Sequence, residues 1–264
     1  MALMVCVNDF WSVSGVPHAL EHFGTWEDGM GLSDIVYPLF LFAMGMSVPL
    51  AIDRRFEKGL SFESTFRHIL SRTVALLLMG AFIVNAEAGV AWNKGVYWLL
   101  MVAGFFLVWN HWPEHFRPAK VLRALGALLL AGLALAYRSP EGGLFQASWW
   151  GILGQIGWMY LFAAIAYLLL RDRQPLWLFG LWLLFCLVNL SVVPMRSGDS
   201  LVGDTFLSDA SYALQLGNGH SIVMALGGAL TILAERRLRG KKWLWGLGVA
   251  LALAGLATLL HRDW

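Results

Sequence analysis

The chain has 264 residues, 58% of them hydrophobic and 14% charged, with a mean hydropathy of +0.63. A soluble domain carries about 25% charged residues, so this composition excludes an ordinary soluble globule and points to an integral membrane protein. The net charge of +2 is spread over basic residues scattered between apolar spans, which argues against a nucleic-acid-binding face. The two cysteines, Cys6 and Cys186, have neither disulfide nor metal-site spacing.

The chain opens on MALMVCV, seven apolar residues, or about 10 Å of helix, too little to cross a bilayer. The first helix is therefore expected to begin upstream of Met1, with a re-entrant or interfacial start as the alternative. A polar loop, residues 9–33, follows. Eight runs of the length and polarity of spanning helices come next: 34–52, 67–85, 95–111, 121–138, 149–170, 175–194, 216–235 and 243–260. They are continuously apolar, without the period-two alternation of barrel strands, and backbone in lipid must satisfy its own hydrogen bonds. The expected fold is all-α: one polytopic membrane helix bundle over 1–264, with eight full transmembrane helices and a partial first one. Tryptophans near span ends, among them Trp92, Trp98, Trp109 and Trp112, read as an interfacial belt.

Orientation follows from Lys and Arg in the short loops. One set of alternate loops holds Arg54, Arg55, Lys58, Arg67 and Arg72; Arg117, Lys120 and Arg123; Arg171 and Arg173; and Arg236, Arg237, Arg239, Lys241 and Lys242. The opposite loops hold only Lys94, Arg138, Arg196 and Arg262. The first set is expected in the cytoplasm, which puts the 9–33 loop, free of Lys and Arg, outside. The titratable groups His18, Glu21, His22, Glu27, Asp28, Asp34 and His220 collect on that outer side.

The opening block resembles a known family. Val7-Asn8, a polar aromatic loop with His22 and Trp26, and then Gly31-Leu32-Ser33-Asp34-Ile35-Val36-Tyr37-Pro38-Leu39-Phe40 are similar to the bacterial relatives of heparan-alpha-glucosaminide N-acetyltransferase. Trp150-Gly151-Ile152-Leu153-Gly154-Gln155-Ile156-Gly157 and Gly219-His220-Ser221-Ile222 extend the likeness. Departures are the missing Ser-Leu-Asp-x-x-Arg-Gly before the first helix, an end at Trp264 where the family has further helices, and a shorter Gly-to-Asp spacing. They create the expectation of a chain truncated at both ends. The resemblance implies transfer of an acetyl group from cytosolic acetyl-CoA, across the bacterial inner membrane, to an amino sugar or envelope glycan. It maps catalytic roles onto Asn8 and His22, with Asp34 at the next helix entry.

The residue chemistry is compatible with that reading. A neutral imidazole suits proton removal from an attacking amine or hydroxyl near pH 7, and Glu21 or Asp34 could orient it. The Asn8 amide could donate to a developing oxyanion. Acceptor contacts would come from Trp11, Trp26, Glu21, Asn218 and His220. The anionic coenzyme, the only cofactor expected besides membrane lipid as a partner, would meet Arg54, Arg55, Arg67 and Arg72, with Gln155 lining a polar path; no metal is expected. Each residue also has a plainer reading. A loop histidine is ordinarily solvated, with His18 competing with His22. Asp34 before an apolar run is a good helix cap. Basic inner loops are what topology requires anyway. Asn85, Glu87 and Asn189 suit interhelical hydrogen bonds. The alternative function is a transporter or flippase of a polar envelope precursor, although no internal repeat of the transporter kind is visible. A homodimer is left open.

Overall fold

The computed structural model describes residues 7, 13, 15–23, 31–113, 118–147, 151–173, 175–192 and 220–238, without the side chains of 188–192, 220 and 238. Among these, a 3-10 turn at His18–Leu20 precedes seven α-helices: α1 Leu32–Glu57, α2 Phe62–Ala88, α3 Lys94–Trp109, α4 Ala119–Ala136, α5 Ile152–Leu170, α6 Pro175–Val192 and α7 His220–Leu238. No strand occurs among the described residues. Each helix overlaps one of the first seven expected spans; the eighth, 243–260, and nearly all of the partial first helix lie outside the described residues. Four helices, α1, α2, α4 and α5, are long and apolar enough to cross a membrane.

The helices run past their apolar stretches where polar caps allow it. The carboxylate of Asp34 accepts from the Gly31 N–H at the start of α1. Ser61 caps α2 through the Ser64 N–H, and Asn93 caps α3 through the Val96 N–H. Pro38 and Pro49 sit inside α1 without ending it; neighbouring helices in a bundle can make good the backbone bonds that proline forfeits.

The chain divides into two compact units, changing from one to the other between Leu60 and Ser61, after α1, and again inside α5 at Phe162. The first unit contains α1, the second half of α5, α6 and α7. Its central pair is α1 and α7, and glycines set their separation. A side-chain carbon on Gly45 would collide with the Ala225 carbonyl, and one on Gly228 with the Phe42 carbonyl. Small residues let membrane helices approach this closely, where packing replaces the hydrophobic drive that lipid removes. Trp182 of α6 adds a hydrogen bond from Nε1 to the Val223 carbonyl of α7, 3.1 Å long.

The second unit contains α2, α3, α4 and the first half of α5. Its core gathers Phe82, Ala86, Tyr97, Met101, Leu130, Leu133 and Tyr137. Asn85 is buried beside it, and both its amide nitrogen and its amide oxygen are hydrogen-bonded. Nδ2 donates to the Ala81 and Gln146 carbonyls, both at 2.7 Å, and Oδ1 accepts from the Gln146 N–H at 3.0 Å. The single Tyr137 O–H is shared between the carbonyls of Asn85 and Gly89, near the C-terminal end of α2. These bonds bind the turn after α4 to α2, in keeping with the packing role expected of Asn85.

Candidate functional site

At the N-terminal end of α1, Asp34 is held from three directions. Its Oδ2 accepts from the backbone N–H of Gly31 at 2.9 Å and of Phe23 at 3.3 Å, and its Oδ1 lies 2.7 Å from Nδ1 of His22. Position explains the carboxylate: the first turn of a helix has unpaired N–H groups and the positive end of the dipole. The capping read for Asp34 in the sequence is present, and the same side chain also contacts His22. The loop is tied down a second time, since Ser33 Oγ donates to the Leu20 carbonyl at 2.5 Å.

The His22–Asp34 pair has a definite chemical capacity. A carboxylate facing Nδ1 favours the tautomer with its proton on Nδ1, which puts the basic lone pair on Nε2. It also stabilises the imidazolium that would form when Nε2 takes a proton. The pair is partly open to solvent, at 44% exposure for the His22 side chain and 30% for Asp34, so a substrate could reach it.

His18 and Glu21 form a separate arrangement. The Glu21 carboxylate lies 3.8 Å from His18 Nδ1, and the His18 ring packs on Phe23 with 4.4 Å between centroids. The acid placed against His22 is thus Asp34, and Glu21 faces the neighbouring histidine. His220 is the first residue of α7. Tyr37, in the second turn of α1, shares a hydrogen bond with Ser221 of the first turn of α7. Sequence reasoning missed this Tyr37–Ser221 link. Asn8, Trp11, Trp26 and Asn218, together with Glu27 and Asp28, lie outside the described residues, as does the His220 side chain.

The opposite end of α1 holds a cluster that the sequence reading also missed. Asp53 Oδ2 accepts from the Tyr167 hydroxyl at 2.9 Å, Oδ1 accepts from Arg171 Nε at 2.9 Å, and Arg236 Nη1 donates to Oδ2 as well. The Asp53 side chain is 13% exposed. The signal was present in Asp53-Arg54-Arg55: an acid in the last turn opposes the helix dipole and so needs cationic partners. Those partners are far away in sequence. The Arg171 guanidinium also stacks on the Phe56 ring, 4.1 Å from its centroid.

The basic candidates differ in their surroundings. Arg54 lines a groove beside Asp53, Glu57 and Arg236. Arg67 is paired with Glu63 at 2.5 Å on the exposed face of α2, and Arg72 lies over the Tyr160 ring at 5.5 Å. Arg55 follows Arg54 in the last turn of α1. Gln155 is half-buried in the first half of α5.

Over 127 residues the chain is 26% identical to heparan-alpha-glucosaminide N-acetyltransferase of Mus musculus, a stretch covering 43% of this chain and 19% of that protein. The chain thus aligns with about a fifth of the length of this relative. No solved structure matches. Residues 6–200 match the family model described as "Domain of unknown function (DUF5009)", and the chain belongs to that family.

Proposed function

We propose that this chain belongs to a transmembrane acetyltransferase that moves an acetyl group from acetyl-CoA to an amine or hydroxyl of a sugar or glycan. The observation that carries the reading is the 2.7 Å contact of His22 with Asp34 at the entry of a helix long enough to span. The name of the mouse relative points to the same chemistry. The acceptor would attack the thioester carbonyl as Nε2 of His22 removes its proton, and the carbon–sulfur bond would then break as the imidazolium returns that proton to the leaving sulfur, releasing the coenzyme thiol. Asp34 would hold the ring and stabilise the imidazolium, while Asn8 would donate to the oxyanion. A covalent acetyl-His22 intermediate is the variant pathway, in which the imidazole attacks first and the acceptor second. On the charge-based orientation the 9–33 loop would be extracytoplasmic and the coenzyme would lie on the other side, where Arg55, Arg67 and Arg72 would meet its phosphates.

The test is acetyl transfer by the full-length protein in liposomes loaded with acetyl-CoA, with glucosamine outside. His22→Ala should lower transfer by roughly 10²–10⁴ while leaving thermal unfolding unchanged, and His18→Ala should retain most activity. Normal turnover in His22→Ala would sink the mechanism.

A further inference from the structure

The groove beside Asp53 has a charge pattern that selects a ligand. Its volume is about 500 Å³, and it is lined by Ser47, Leu50, Ala51, Asp53, Arg54, Glu57 and Arg236, a stretch of α1 about 15 Å long at 1.5 Å per residue together with one residue of α7. Its two ends differ. Leu50, 46% exposed, and Ala51 make an apolar wall on the side toward the middle of α1. The charged residues occupy the last turn and a half.

Those charges are not equivalent. Both Asp53 oxygens are taken up by Tyr167, Arg171 and Arg236, so Asp53 is the support of the groove and fixes the Arg236 head at its wall. A guanidinium has five N–H donors, and Arg236 retains donors beyond the one on Asp53. Arg54 and Glu57, one turn apart, have no ion-pair partner among the described residues, not even each other. The lining is therefore charge-balanced, two acids against two bases, and among the described residues one arm of each sign has no ion partner. Such a wall suits a neutral zwitterion better than a polyanion such as coenzyme A, whose several phosphate charges the unpartnered Glu57 would oppose.

We infer that this groove binds the headgroup of a zwitterionic phospholipid carrying a primary ammonium, of the phosphatidylethanolamine type. Arg54 and Arg236 take the phosphate, for which the guanidinium fork is suited. Glu57 takes the ammonium, helped by the negative C-terminal end of the α1 dipole. Leu50 and Ala51 receive the start of an acyl chain. The charged end of a helix long enough to span a bilayer is where a headgroup lies, and this holds whichever way the chain is oriented. The inference is independent of the acetyltransferase reading.

The experiment is lipid binding by the full chain, purified in detergent, delipidated and titrated separately with phosphatidylethanolamine, phosphatidylglycerol and phosphatidylcholine, each read by native mass spectrometry. Phosphatidylethanolamine should bind about tenfold more tightly than phosphatidylglycerol, the scale of one ionic hydrogen bond. Arg54→Ala should weaken it by about tenfold as well. Glu57→Gln should remove the preference, so that the ethanolamine and glycerol lipids bind alike. Lys58→Ala, on the same turn but not lining the groove, should change nothing. Both Arg54 and Glu57 are exposed, and unchanged thermal unfolding of their variants verifies that the fold is retained. Equal binding of all three lipids, an unaltered Glu57→Gln, or an effect of Lys58→Ala as large as that of Arg54→Ala would overturn the assignment. So would displacement of the ethanolamine lipid by equimolar coenzyme A, which would give the groove to a soluble polyphosphate.

Discussion

The two aspartates of α1 show how one side chain takes opposite roles at opposite ends of one helix. Asp34 stands where the dipole is positive and backbone N–H groups are unpaired, so two of its hydrogen bonds come from the chain itself. Its third partner, His22, is titratable, half-open to solvent and in a loop. Asp53, about 28 Å further along the same helix, stands where the dipole is negative. Its partners are two guanidiniums and a phenol from two other segments, α5 with the turn that follows it and α7. The first carboxylate is satisfied locally and has capacity left to polarise a neighbour. The second is saturated and holds segments together. A partnered carboxylate is thus a site candidate at one end of the helix and a structural tie at the other, and the partner set distinguishes them.

Substitutions sharpen that contrast, in order of expected effect. His22→Ala should lower acetyl transfer by roughly 10²–10⁴, the usual range for a general base, with the melting temperature unchanged. Asp34→Asn should fall in the same range for transfer and be non-additive with His22→Ala, because both would serve one transition state; steady-state assay of the double variant checks this. At the other end the sign reverses. Asp53→Ala should destabilise the fold by about 2–3 kcal/mol, short of the roughly 3–5 kcal/mol for losing one partner of a fully buried pair, because the Arg236 side chain is 41% exposed. Thermal unfolding in detergent measures it, and an unchanged midpoint would show that Asp53 is no tie. Gly45→Leu should cost about 1–3 kcal/mol by overpacking the α1–α7 crossing, seen as a lower midpoint. Tyr167→Phe is the mildest, at about 1 kcal/mol, since Arg171 and Arg236 still hold the carboxylate; a loss as large as that of Asp53→Ala would mean that the phenol, and not the guanidiniums, carries the tie.

Much of the fold was legible because the bilayer imposes one rule on every residue of a span. A continuous apolar run must be helical and must be long, so the runs at 34–52, 67–85 and 149–170 each contain most of the helix that forms there. The ends were less legible. α1 begins at Leu32 and continues to Glu57, and α2 begins at Phe62, because caps and charged last turns extend a helix beyond its apolar part. The nearness of His22 to Asp34 was partly legible, since twelve residues separate them in one loop. Which acid would face which histidine was not: Glu21 adjoins His22 in sequence but turns to His18, a choice made by the 3-10 turn between Pro17 and Glu21.

By itself the sequence determined the class of molecule, the helical state of its spans and the capping place of Asp34, because each of these depends on composition, period or position within a single segment. Tertiary structure alone decided the Asp53 cluster, whose partners lie 114, 118 and 183 residues away, and the contact of α1 with α7 through Gly45 and Gly228. Apolar runs look alike to a pattern reader, and lipid offers no hydrophobic gradient to say which helix pairs with which. That selection rests on close-packed glycines, a few hydrogen bonds and matched charges, and these take effect only once distant segments are side by side.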